Sequence, residues 1–187
     1  AKCAKGNKIP FILDLVGVAC STLRLNYAKE LVSVACPTVI KGNISECKAF
    51  YGMTSHAHGV DADIQDEENI YESCKWLKDM ALNLGCVVVC SGKIDVITDG
   101  KEVNLISNGC DMLSRITGTG CMLNVAIATF LASFPPLNAC VKATCYYEVA
   151  AEKTECNGPG TFHMHFMDEI YKLTSFDESL FKIEVLG

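Results

Sequence analysis

The sequence predicts an α/β fold with a mainly parallel central sheet, and three observations predict it. Short unbroken apolar runs at residues 9–16 and 86–91 read as strands buried on both faces. These runs alternate with stretches of helical spacing. The clearest stretch is residues 67–84, where Ile70, Cys74, Leu77, Ala81 and Leu84 share one face. Asp99-Gly100 between two apolar runs is a strong hairpin signal. Buried strands alternating with helices build a parallel sheet, and such sheets carry their sites at the carboxyl ends of the strands.

Each element has a local justification. Residues 9–16 form an apolar first strand, stopped by Gly17. Residues 25–35 have helical spacing, and residues 38–41 form a short second strand. Gly42-Asn43 turns the chain into a helix from Ile44. Residues 56–66 are a polar loop leading into the amphipathic helix, which Gly85 ends. Residues 86–91 are a buried strand, and residues 95–98 and 102–107 are the arms of the hairpin. Gly118-Thr-Gly-Cys121 opens an apolar helix to about Leu131, and residues 137–155 and 160–171 are further helices. No internal repeat, low-complexity tract or linker interrupts the series, so residues 1–187 read as a single domain.

Composition narrows the function classes. A chain of 187 residues buries about 70% of its unfolded surface and needs no covalent staples. Sixteen basic residues against 22 acidic ones give a net charge of −6, which argues against sequence-independent nucleic-acid binding. A local basic pocket for a phosphorylated ligand remains compatible with that balance. The 12 cysteines lie inside apolar runs such as Cys86-Val-Val-Val-Cys90, and no Cys-x-x-Cys pair occurs. They read as small buried hydrophobes in a reducing compartment, in an oxygen-poor cell, rather than as a disulfide framework or a zinc ribbon. No membrane span is expected: residues 121–134 are too short and include Asn124, Thr129 and Ser133. The start of the chain carries no apolar leader and passes almost at once into a strand, so it reads as an interior start.

Two constellations could carry chemistry. The first is Arg115-Ile-Thr-Gly118-Thr-Gly120-Cys121. A glycine turn into a helix brings backbone N–H groups to a helix N-terminus, where an anion is favoured and a thiol pKa falls below its usual ~8.5. The same residues also suit a close-packed helix start with a buried cysteine. The second pairs Asp14, at the end of one strand, with Glu46, just beyond the end of another. Carboxylates there suit Mg²⁺, which takes a few carboxylates with phosphate oxygens and water. Glu46 three residues after Asn43 equally suits a capping box. The pairs His56/His58 and His163/His165 lack a nearby third ligand, and the second pair falls in a helix where i and i+2 diverge. Trp76 reads as packing, and the acidic run at 61–68 as a solvated loop and helix start.

Six segments taken in order resemble one family, the hydroxyethylthiazole kinases of the ribokinase-like superfamily. They are Leu13-Asp14-Leu-Val-Gly17 with its continuation to Arg24, Lys41-Gly42-Asn43-Ile-Ser-Glu46, Gly59-Val60-Asp61, Ser91-Gly92 through Gly100, Thr117-Gly118-Thr-Gly-Cys121, and Gly158-Pro159-Gly160-Thr-Phe162. The resemblance runs from about Ile9 to Tyr171. It implies a three-layer α/β/α fold and ATP-dependent phosphorylation of the alcohol of 4-methyl-5-(2-hydroxyethyl)thiazole, in thiamine biosynthesis or salvage. By resemblance, Lys41 stands for an arginine on the ATP phosphates and Ser91 for a threonine on ATP. Asn43 and Gly120 belong with them on the nucleotide side. Gly118 lies against the thiazole, Cys121 holds the catalytic-base position, and Asp14 and Glu46 hold the acidic positions associated with Mg²⁺. The family also implies a homotrimer; the composition adds the expectation of a cytoplasmic chain with no membrane or nucleic-acid partner.

Departures from the pattern are definite. Leu15 replaces a proline, Ala19 a common glycine, and Lys41 cannot make arginine's bidentate contact. The family carries further strands upstream, so the chain matches the C-terminal two thirds of the family's length. The rival expectations are a hydroxymethylpyrimidine or pyridoxal kinase, and a truncated, non-catalytic nucleotide-binding protein.

Overall fold

The computed structural model describes residues 1–54, 69–172 and 177–186. The expectations for His56, His58, the Gly59-Val60-Asp61 segment and the acidic run at 61–68 lie outside them.

The chain divides into two compact units, Ala1–Leu105 with Val185–Gly187, and Ile106–Glu184. The first unit holds helices α1 (Lys2–Gly6), α2 (Thr22–Ala35), α3 (Ile44–Tyr51) and α4 (Ile70–Leu84). Its strands are β1 (Ile12–Asp14), β2 (Val39–Asn43), β3 (Val87–Ser91), β4 (Asp95–Thr98) and most of β5 (Val103–Ile106). A last strand, β6 (Ile183–Leu186), completes a sheet of order β1-β2-β3-β4-β5-β6. The sheet runs parallel through β1, β2 and β3 and turns antiparallel at β4.

The parallel register decides where the site can form. Asp14 lies opposite Lys41, Lys41 opposite Val89, and Asn43 opposite Ser91. The carboxyl ends of three adjacent strands therefore share one sheet end. Ile40, Val88, Leu77, Met80 and Leu15 are fully buried in the core beneath it. Burial of each such side chain contributes about 1.5–3 kcal/mol.

Local chemistry fixes the element ends. Asn69 caps α4 by accepting from Tyr71 N at 3.1 Å, and Gly85 ends the helix at φ 65°. The buried face of α4 includes Cys74, Leu77 and Ala81, as its spacing predicts. Trp76 packs against the core and stacks on Tyr51 at 6.3 Å between ring centroids. In the hairpin, Asp99 Oδ1 accepts from Lys101 N at 2.9 Å and from Glu102 N at 3.0 Å, which holds the tight turn.

The second unit holds α5 (Thr119–Leu131), α6 (Pro136–Lys153) and α7 (Pro159–Lys172). Phe162 and Phe166 stack at 5.4 Å, and Tyr147 meets Phe166 edge-on at 4.8 Å. Asn108 gathers the end of this unit: its amide donates to Leu180 O at 3.0 Å and its carbonyl accepts from Lys182 N at 2.7 Å.

Several expectations are corrected. The first strand is only Ile12–Asp14, because Ile9 is exposed and Pro10 has no N–H to give a ladder. The chain opens with the short helix α1, which has no buried residue, rather than running straight into a strand. A 3-10 turn at Asp111–Arg115 and strand β6 were not expected, although Phe181, Ile183 and Val185 alternate with Lys182 and Glu184 in the period of a strand. Six of the 12 cysteines are buried, two are half-buried, and Cys3, Cys20, Cys36 and Cys121 are exposed. The cysteines are thus less uniformly buried than their apolar neighbours suggest. Among the described residues, no helix is long and apolar enough to cross a membrane.

Candidate active site

The strand-end cluster of the first unit is built by Glu46. Asn43 caps α3, its Oδ1 accepting from Glu46 N at 2.9 Å, and Glu46 Oε2 accepts from Asn43 N at 2.9 Å. That reciprocal pair is the capping box the spacing allowed. Glu46 also reaches across the sheet end: its Oε1 accepts from Gly17 N at 2.7 Å. One carboxylate therefore fixes the turn after β1 against the turn after β2. Glu46 is only 4% exposed. Burial raises its pKa above the usual glutamate value, opposed by the two backbone donors. The nearby charge of Asp14 raises it further and that of Lys41 lowers it.

Asp14 ends β1 and accepts from Val16 N through Oδ1 at 3.0 Å, an Asx-type turn that directs the chain away from the sheet. Leu15 N donates to Lys41 O at 2.7 Å, a bond that proline at this position could not make. The leucine that departs from the family pattern thus gains a backbone bond and a fully buried side chain. Lys41 is 3% exposed and acts electrostatically on both Glu46 and Cys90. Gly42 allows a close approach: a Cβ there would lie 3.1 Å from Leu15 Cβ and 3.2 Å from Glu46 Oε2, so those neighbours would have to give way. Ser91 closes the row, its hydroxyl donating to Gly42 O at 3.4 Å. Asp95 Oδ1 accepts from Gly92 N at 2.8 Å and shapes the turn after Ser91. Below the cluster, a hydrogen bond with Cys47, reinforced by burial, keeps the Cys90 thiol protonated.

The second unit supplies the helix start. Gly118 is the residue before α5 and has φ 102°, a backbone conformation that disfavours side chains. No side chain caps it. Thr119 anchors the turn, its hydroxyl donating to Leu113 O at 2.8 Å and lying 3.2 Å from Ile116 O. Cys121 is exposed in the first turn, so the close-packed, buried reading of this cysteine does not hold. A residue that sequence reasoning missed is Tyr147 of α6, whose phenol donates to Thr119 O at 2.8 Å. Twenty-eight residues separate the partners, and no spacing signal links them.

The structure thus gathers Asp14, Lys41, Asn43, Glu46 and Ser91 at one sheet end of the first unit, and Gly118, Gly120 and Cys121 in one turn of the second. His163 and His165 both lie in α7, with His165 Nδ1 at 2.7 Å from Glu155 O. Among the described residues, no group of three or more metal-ligating side chains forms.

Residues 1–176 match the model of the hydroxyethylthiazole kinase family. The chain is 43% identical over 177 residues to hydroxyethylthiazole kinase 2 of Clostridium botulinum strain Langeland, covering 92% of this chain and 67% of that protein. The solved hydroxyethylthiazole kinase of Pyrococcus horikoshii OT3 superposes with a TM-score of 0.85 at 28% identity, over the whole chain and 69% of that structure. The pyridoxal kinase of Entamoeba histolytica, at 17% identity and a TM-score of 0.67 over 100% of this chain and 65% of its own, shares the fold alone. This chain belongs to the hydroxyethylthiazole kinase family.

Proposed function

We propose that the chain transfers the γ-phosphoryl group of ATP to the hydroxyl of 4-methyl-5-(2-hydroxyethyl)thiazole, giving the phosphate ester and ADP. The observation that carries this reading is the row of Asp14, Lys41, Asn43, Glu46 and Ser91 at the carboxyl ends of parallel strands, in a chain of this family. Phosphoryl transfer needs positioning and charge neutralisation more than covalent help from the protein. Lys41 neutralises phosphate charge, and Asn43 and Ser91 lie beside it on the nucleotide side.

Asp14 and Glu46 suit Mg²⁺ in their chemistry: both are hard oxygen donors, and the Asp14 charge raises the cost of charge on Glu46. Held by Asp14 and Glu46, Mg²⁺ would supply positive charge to the phosphates. Glu46 already gives one contact per oxygen to backbone N–H groups, so its first task is to hold the Gly17 and Asn43 turns in place.

In the second unit, Gly118 faces the thiazole, and the Gly120 and Cys121 amides receive phosphoryl oxygens. The Cys121 thiolate takes the hydroxyl proton as the new P–O bond forms. The bond between the γ-phosphorus and the bridging oxygen breaks, and the electron pair leaves with ADP. The family resemblance further implies a homotrimer, and the composition suits a chain working in the cytoplasm.

Incubation of the chain with ATP, Mg²⁺ and the thiazole alcohol, with the phosphate ester followed by mass spectrometry, tests the activity. Ester formation faster than with pyridoxal or hydroxymethylpyrimidine supports the reading. Preference for either of those alcohols replaces the substrate, and nucleotide binding without transfer to any of the three leaves a binding protein.

A further inference from the structure

The α5 start is held from its inner side by an element that the family motifs do not include. Tyr147 lies on α6 and is 4% exposed. Its ring is fixed edge-on against Phe166 at 4.8 Å, and Phe166 stacks in turn on Phe162 at 5.4 Å. With the ring so placed, its hydroxyl donates to Thr119 O at 2.8 Å. Thr119 O belongs to the same peptide group as Gly120 N–H. A hydrogen bond donated to a peptide carbonyl polarises that peptide and strengthens its N–H as a donor. The Thr119 hydroxyl bonds to Leu113 O, so the residue that carries this carbonyl is held through its side chain as well. Burial, with Glu148 and Cys121 nearby, raises the Tyr147 pKa far above the ordinary phenol value. The phenol therefore stays a donor across the working pH range.

We propose that Tyr147 is a positioning residue for phosphoryl transfer: its hydroxyl, by holding the Thr119 carbonyl, sets the direction of the Gly120 and Cys121 N–H groups in the first turn of α5. This rests on the reading of that turn as the one that receives the phosphoryl group. Tyr147 does not touch the reacting atoms. It acts through the backbone of the turn, and its effect falls on the transition-state charge rather than on nucleotide affinity.

Two variants of the chain separate this role from plain packing. Tyr147→Phe removes one oxygen and keeps the ring against Phe166. Phe166→Leu loosens the same ring packing and keeps the hydroxyl. The first measurement is the pH midpoint for alkylation of Cys121 by iodoacetamide, read on its peptide by mass spectrometry. Tyr147→Phe is expected to move that midpoint upward, because weaker N–H donors stabilise a thiolate less, while Phe166→Leu leaves it near wild type. The second measurement is transfer from ATP to the thiazole alcohol. Tyr147→Phe is expected to lower kcat about three- to tenfold, the worth of one hydrogen bond, with KM for ATP unchanged.

An unchanged Cys121 midpoint in Tyr147→Phe overturns the proposal. So does an equal shift in Phe166→Leu, which makes the effect one of packing. A midpoint shift in a chain whose wild type transfers no phosphoryl group retains the positioning of the turn and removes the kinase reading instead.

Discussion

Glu46 and Cys121 occupy the same nominal place, the third residue of a helix that follows a glycine-containing turn, and they are treated oppositely. Glu46 is buried, and its carboxylate closes a capping box and reaches Gly17 as well. Cys121 is exposed, and the residue before its helix is a glycine with no side-chain cap. At the first helix the chain spends a side chain on its own N–H groups. At the second it stabilises the turn from behind, through the Thr119 and Tyr147 hydroxyls, and leaves the helix start uncapped. A capped start organises the protein, whereas an uncapped and braced one suits an incoming anion.

Substitutions at the two places are expected to fail in different ways. The largest effect is on catalysis. Cys121→Ala is expected to lower kcat by ~10²–10⁴-fold, the usual worth of one general base, with the thermal midpoint unchanged. Cys121→Asp is expected to keep transfer, since a carboxylate also accepts a proton and suits a helix N-terminus. Wild-type turnover in Cys121→Ala makes the residue packing only. A dead Cys121→Asp with a phosphorylated Cys121 trapped in the wild type makes it a covalent nucleophile.

At the other helix the damage falls on stability. Glu46→Ala leaves Gly17 N and Asn43 N without their carboxylate acceptor and is expected to cost roughly 2–4 kcal/mol in urea unfolding. A cost near zero means that water replaces the carboxylate at no penalty. Gly42→Ala is a smaller test of the same packing, since its Cβ would press on Leu15 and Glu46; about 1–3 kcal/mol is expected.

The smallest effect is a pH slope. The Glu46 pKa is raised on folding from its ordinary 4.5, so the folded state holds the proton more tightly than the unfolded state does. That contribution to stability is complete below pH 4.5 and is lost as pH rises through the raised value. Wild type is expected to lose more stability than Glu46→Gln over that interval. Equal slopes in the two proteins mean that Glu46 ionises in the fold as it does in water.

Much of this was legible in the sequence because it is local. Asn43 with Glu46 three residues on, Asp99-Gly100 between apolar runs, and the Cys74–Leu77–Ala81 face each act within a turn or two, where spacing carries the signal. The contacts that hold each candidate cluster together are not local. Gly17 N meets Glu46 across 29 residues and Tyr147 meets Thr119 across 28, and neither pair leaves a pattern in the chain. Strand β6, by contrast, does carry a local signal: Phe181, Ile183 and Val185 alternate with Lys182 and Glu184, the period of a strand with one charged face.

The account stands on the strand-end cluster of the first unit being a site for the Mg²⁺ complex of ATP. Titration calorimetry of the chain with ATP, with and without Mg²⁺, in wild type and Asp14→Asn, measures that directly. The account predicts binding several-fold tighter with Mg²⁺ in wild type, and loss of that gain in Asp14→Asn. Equal affinity with and without Mg²⁺, or a full Mg²⁺ gain in Asp14→Asn, contradicts it.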